Sequence, residues 1–285
     1  MRKIVRLFPV LSFALCFSAL SATSVSPNIS GTWTGSAAGR GYKVEVDQNG
    51  NQTNMVETVS ATLSVNAVQS GTDLTLDVQV TTANDGTNLV TFTGKAGDFA
   101  LWATAVQTNQ DSTEQIFLSG IYASRGDKIT GTIVIYKDQH AAQLSFKLTK
   151  SVAKLSRAAG AARAAQSIPT ATSRQDGPFN VAGKVSGSSY TLATNAKAAK
   201  YSGTMTGAFA DTSATLTVTA ADGTLTYDVT QTGTDGAIVL FGSGGLGGSE
   251  SFVAFLKTSN NAGVGTAWVF SQTRLVQVKL TAKKQ

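Results

Sequence analysis

Apolar and polar residues alternate one for one along most of this chain, and that rhythm leaves few folds open. In Ala61-Thr62-Leu63-Ser64-Val65-Asn66-Ala67 every second residue is apolar, and the same holds from Leu74 to Val80 and from Leu144 to Thr149. Successive side chains of a strand point to opposite faces, so a period of two marks a strand with one face buried. Asn49-Gly50, Ser70-Gly71, Asp85-Gly86 and Gly126-Asp127 punctuate these runs as turns. About nine short strands are expected between residues 30 and 149, which suits a small sandwich or a closed barrel.

The second half repeats the first. Ala214–Ala220 echoes the strand at 61–67, Leu225–Val229 echoes 74–78, and Val239–Gly242 echoes Val90–Gly94. Thr130–Tyr136 followed by Leu144–Thr149 parallels Val264–Phe270 followed by Val276–Thr281, while the strand around Phe99–Gln107 finds no counterpart. Shared order and spacing over several strands indicates an internal duplication. The expected fold is all-β: two tandem antiparallel domains of eight or nine strands, barrels in preference to sandwiches. A single outer-membrane barrel of sixteen or more strands is the rival, disfavoured because the alternating runs are often about seven residues where a spanning strand needs nine to eleven.

Four segments follow. Residues 1–24 have the grammar of a secretory signal: Arg2, Lys3 and Arg6, then the apolar stretch Leu7–Leu20, then small residues. The stretch is too short to span a bilayer as a helix. Residues 28–150 form the first β domain and 179–285 the second. Between them, 151–178 is a basic, alanine-rich linker whose first half is expected to form a short helix capped by Ser151 and stopped by Pro169 and Pro178. The one cysteine, Cys16, lies in the signal, so the mature chain is expected to have no disulfide and no thiolate chemistry.

The formal net charge of +6 invites a nucleic-acid reading until it is divided by region. The signal contributes three positive charges and residues 150–178 a net four, whereas residues 28–149 carry 7 basic against 11 acidic side chains. A nucleic-acid binder concentrates Lys and Arg on a folded face, so no nucleic-acid partner is expected. Charged residues make up 14% of the chain, well below the usual share of about 25%, with Thr, Ser, Gly and Ala in their place. Such a surface fits a secreted protein of the periplasm, cell surface or extracellular space.

Gly31-Thr32-Trp33, at the head of the first expected strand, resembles the Gly-x-Trp opening of the lipocalins and the Gly-Thr-Trp opening of avidin-type barrels. The resemblance implies an up-and-down barrel in which Trp33 packs across the closed end against a basic side chain from a late strand, Lys147 being nearest. The second copy has Gly183-Lys184-Val185 in the matching place, without a tryptophan. Gly242-Ser-Gly-Gly-Leu-Gly247 spells a dinucleotide motif, but the strand-like Glu250–Leu256 follows where a helix is required, so a hairpin loop is expected. Arg125-Gly126-Asp127 and Asp47-Gln-Asn49-Gly50-Asn51 read as turns, the latter lacking the glycine and glutamate of a calcium loop. His140 is the sole histidine, which leaves little room for a triad or an imidazole metal cluster.

No catalytic, cofactor-binding or metal-ligating set emerges, and an enzyme is not expected. Two functions fit what remains. One is a non-catalytic exported binding protein holding a small apolar ligand inside or at the mouth of a barrel. The other is a structural or adhesive surface protein with solid β cores, whose exposed Thr/Ser/Asn faces or strand edges meet other molecules.

Overall fold

The computed structural model describes residues 28–46, 48–50, 52–83, 86–109, 112–122, 126–137, 140–151, 168–170, 179–192, 198–210, 212–234, 236–259 and 261–285. The signal-like segment and most of the linker, including its expected helix, lie outside the described residues. Strands dominate, in two tandem closed antiparallel barrels of eight strands each.

The first barrel comprises β1 (Gly31–Val46), β2 (Gln52–Ser70), β3 (Asp73–Thr82), β4 (Gly86–Ala96), β5 (Ala100–Asn109), β6 (Ser112–Tyr122), β7 (Lys128–Lys137) and β8 (His140–Lys150). Each strand pairs with the next, and β1 closes the circle on β8 from Trp33↔Lys150 to Lys43↔His140. A short β9 (Ile168–Thr170) from the linker pairs with β2 at Asn54–Val56, beyond the end of β3. The second barrel runs β10 (Phe179–Thr191), β11 (Ala199–Ala210), β12 (Ser213–Ala220), β13 (Gly223–Thr234), β14 (Ala237–Gly244), β15 (Glu250–Ser259), β16 (Ala262–Phe270) and β17 (Arg274–Lys284), with β10 closing on β17. Among the described residues the one helical turn is a 3-10 turn, Leu246–Gly248.

In both barrels the alternation points apolar side chains inward. Leu74, Leu76 and Val78 of β3 are buried while Asp73, Thr75 and Gln79 face solvent. This is the reverse of an outer-membrane barrel, whose apolar residues face lipid and whose lumen is polar. Strand length does not separate the two cases, because these strands run from 8 to 19 residues. The seven-residue runs seen in the sequence were only the best-patterned parts of longer strands.

The structural correspondence between the barrels differs from the one expected. Ala214–Ala220 is β12, third in its barrel, so it stands opposite β3 and not the strand at 61–67. β3 and β12 share a burial pattern over their first eight positions, and β8 and β17 share theirs throughout. The strand around Phe99–Gln107, β5, does have a counterpart, β14; the strand overlooked was β11. At the barrel ends, Lys150 N–H bonds the Asp127 carbonyl and Ser151 N–H bonds that of Thr32, just as Lys284 and Gln285 bond Asn261 and Asn180. Thr32 therefore matches Asn180, and the counterpart of Trp33 is Val181, not Val185.

The two barrels meet along β1 and β5–β8 on one side and β13–β17 on the other. Phe117 stacks on Phe270 (centroids 4.7 Å apart, 26° between planes) and lies 5.4 Å from Trp268. Trp102 sits 4.8 Å from Phe270 and donates its indole N–H to the Ser271 carbonyl at 2.9 Å. Tyr136 meets Phe241, and Tyr42 meets Phe255. Trp268, Val239 and Val134 are 0% exposed, so this seam is as dry as either barrel interior.

Candidate functional site

The first place to look for a site is the barrel interior. Trp33 is fully buried at one end of the first barrel and donates its indole N–H to the Ile29 carbonyl at 2.8 Å. A basic side chain does lie over its ring, but it is Lys150, with Nζ 5.5 Å from the ring centroid and 3.1 Å from the Asn28 carbonyl. Lys147 is exposed on the outer wall, since it alternates with the inward Phe146 and Leu148. Above Trp33, the void lined by Val65, Leu76, Leu101, Leu118, Phe146 and neighbours measures about 10 Å³. That is about the least a single water requires. The interior of the second barrel is occupied by one contiguous apolar cluster that includes Met205, Phe209, Leu216, Tyr227, Phe252 and Leu280.

The end of the second barrel holds a polar cluster that the sequence reading missed. Glu250, 2% exposed, accepts the Tyr227 hydroxyl at 3.0 Å and the Leu246 N–H at 3.2 Å, and its other oxygen lies 3.1 Å from Arg274 Nε. Arg274 also donates to Asp222 at 2.7 Å, and Asp222 accepts the Tyr201 hydroxyl at 3.0 Å. Burial and the adjacent carboxylates push both tyrosine hydroxyls well above their ordinary range. Burial works against the Arg274 charge, yet the bond to Asp222 and the field of Glu250 hold its pKa above the usual value. Each carboxylate already has an arginine and a tyrosine as partners, so the cluster fits a plug better than an acid–base pair. It fastens the Gly-rich loop to the barrel through the Leu246 amide. A lone Glu between glycines and an apolar run gives little warning of such a role.

A third place is the groove between the barrels. Ile121 of β6 faces the outer wall of β10, β16 and β17 across a cleft of about 290 Å³. Ser186, Ser188, Tyr190, Thr266, Gln277 and Lys279 line it, a hydroxyl- and amide-rich surface with one cation.

The motif-like stretches fall as turns where they are described. Gly244, Gly245, Gly247 and Gly248 all have positive φ, and β15 follows them directly, so no helix N-terminus is there for a pyrophosphate. Gly126 turns with φ 64° ahead of β7, and Arg125 lies outside the described residues. Gly50 turns with φ 81° between β1 and β2; its neighbours Asp47 and Asn51 also lie outside the described residues. His140 is half-buried between Lys43 of β1 and Lys137 of β7, which pairs with Glu114 at 2.8 Å. Desolvation, with the Lys137 charge second, lowers its pKa. Among the described residues no three His, Cys, Asp or Glu side chains come together as a metal site.

These features define a tandem eight-stranded β-barrel protein with packed interiors. No family model matches the sequence, and no curated protein does. Among solved structures it is similar to transferrin binding protein B of Haemophilus parasuis Hp5, at 8% identity, covering 90% of this chain and 77% of that one, with a TM-score of 0.29. Transferrin binding protein B of serogroup B Neisseria meningitidis gives 10% identity, 80% and 66% coverage and a TM-score of 0.28. A Rhodopseudomonas blastica porin variant gives 9% identity, 89% and 99% coverage and a TM-score of 0.19. Scores this low carry no argument about function.

Proposed function

We propose that this is an exported, non-catalytic protein that meets a macromolecular partner through the outside of two solid barrels. The observation that carries the reading is the filled interior of the first barrel, where the void beside Trp33 is about 10 Å³. Ligand pockets for small molecules are roughly 300–1,000 Å³, so an apolar ligand has no place beside Trp33. The Gly-Thr-Trp opening then specifies a plugged barrel end. The aromatic seam fixes the outer faces of both barrels relative to each other, which suits a surface that must present several patches at once.

A second reading is favoured by the groove between the barrels, whose roughly 290 Å³ would hold a small molecule. Its lining calls for a polar or anionic ligand, not an apolar one. Native mass spectrometry of the purified protein, with tryptophan fluorescence during titration of an apolar dye, tests the main reading. No retained ligand and no spectral change are expected. A stoichiometric apolar ligand that quenches the buried tryptophans would overturn it. A polar mass whose release follows Lys279→Ala would move the function to the groove.

A further inference from the structure

The wall of the first barrel is split between β4 and β5. Their hairpin pairs for four rungs, from Ala96↔Leu101 to Thr93↔Thr104, and then the ladder stops. The equivalent hairpin of the second barrel, β13–β14, pairs over eight rungs from Thr234↔Ala237 to Tyr227↔Gly244. Both lips of the split are firmly held from behind: β4 pairs with β3 from Gly86 to Lys95, and β5 pairs with β6 along its whole length. Residues 86–92 and 105–109 therefore turn two rows of backbone N–H and C=O groups toward one gap.

The composition of the lips is as unusual as their geometry. Native sheets blunt exposed edges with charges, proline or bulges. Here Gly86-Thr-Asn-Leu-Val-Thr-Phe92 and Ala105-Val-Gln-Thr-Asn109 contain no charge and no proline. Leu89 and Val106, 67% and 68% exposed, are the most exposed large hydrophobic residues described, and one stands on each lip.

We propose that this split is a strand-acceptor site, in which one extended, uncharged polypeptide segment of a partner pairs with both lips. This names the partner class for the outer-surface reading above and rests on it. The facing stretches 88–92 and 105–109, five residues each, span about 17 Å, enough to align a short strand. Because β4 and β5 are antiparallel, the guest runs antiparallel to one lip and parallel to the other. Main-chain bonds supply affinity, and guest side chains covering Leu89 and Val106 supply selection for apolar residues. A folded second copy cannot offer a lone strand to edges that face each other, whereas an extended tail can.

Amide hydrogen exchange on the full protein tests the proposal. The probe is a synthetic peptide copying Ala214–Ala220, neutral and alternating, on a dilysine tail; a version with proline at its centre is the control. In the free protein, lip amides directed into the gap should exchange much faster than those between β13 and β14. The probe should slow them by about tenfold on both lips, the proline control should not, and Leu89→Lys with Val106→Lys should abolish the effect. No slowing by the probe would overturn the proposal while leaving the apolar-dye result, and so the outer-surface reading, untouched. Slow exchange in the free protein at every concentration would overturn it in favour of the chain's own linker. Slowing that grows with protein concentration, together with a doubled mass, would overturn it in favour of self-association.

Discussion

Arg274 carries much of the end of the second barrel, because Glu250 is buried against it. Removing one partner of a buried pair strands the other charge, which typically costs about 3–5 kcal/mol. Arg274→Met should lower stability in urea by that order, and adding Glu250→Gln to the same chain should recover much of the loss. A double variant no better than the single one would show that packing, not the stranded charge, sets the cost. Trp33→Ala should cost about 3–5 kcal/mol through the cavity it leaves, in a site walled by Lys150, Ile29 and Phe146. His140 gives a pH dependence of definite sign. Its folded pKa is lowered, chiefly by burial and then by Lys137, with Glu114 and Glu57 opposing and Lys43 assisting. Above about pH 6.5 the imidazole is neutral in both states; below it the unfolded chain takes up the proton first, so stability falls with pH from there downward. Between pH 7.5 and 5.5 the melting temperature of the parent should therefore drop more than that of His140→Gln. Equal drops would remove His140 from the account.

At the level of strands, alternation made both barrels legible but could not fix which strand answers which. A pattern of period two looks the same when slipped by two residues, or by a whole strand, since the inward set stays inward. That is why pattern alone aligns Ala214–Ala220 with β2 in place of β3, and Trp33 with Val185 in place of Val181. Glycines hold the register the alternation lacks. A Cβ on Gly35 would lie 1.9 Å from the Lys147 carbonyl oxygen, and one on Gly183 would lie 2.1 Å from that of Thr281. Gly39 and Gly187, four residues on, are crowded in the same way by Gln143 and Gln277. The Gly-x-x-x-Gly spacing is present on both closing strands, but Gly31, Gly35 and Gly39 let it fit in two registers, and the backbone bonds at the barrel ends select the one that aligns Trp33 with Val181. Because backbone cannot yield as a side chain does, Gly35→Val and Gly183→Val should each cost about 3 kcal/mol or more. Gly263→Ala, whose Cβ would meet nothing nearer than Leu256 at 3.7 Å, should hold or slightly raise the melting temperature. Similar behaviour of all three variants would refute the close approach at the closing strands.

For the whole molecule, the seam between the barrels was written in the sequence as an exception to alternation. Phe252-Val-Ala-Phe-Leu256 and Ala267-Trp-Val-Phe270 are unbroken apolar runs, and every residue in them is buried. A strand covered on both faces reads this way. Phe252, Ala254 and Leu256 fill the barrel, while Val253 and Phe255 belong to the seam. The same structural positions serve in both barrels: Phe117 matches Val253, Val134 matches Trp268, Tyr136 matches Phe270 and Ala141 matches Leu275. The seam shares part of one face on both sides, and β13 extends it by packing on β1, β7 and β8. Two consequences can be measured. The parent chain should melt in one calorimetric transition, because neither barrel can expose its aromatic face without losing dry contact area, to which aromatic pairs add about 0.5–1.5 kcal/mol each. Phe117→Asp places a charge between Trp268 and Phe270 while leaving the first barrel's interior intact, since Phe117 belongs to the seam and not to that core. It should split the melt into two transitions, one per barrel, with the midpoint of the first barrel little changed. A single transition in that variant, merely shifted downward, would mean that the barrels are coupled through something other than this seam.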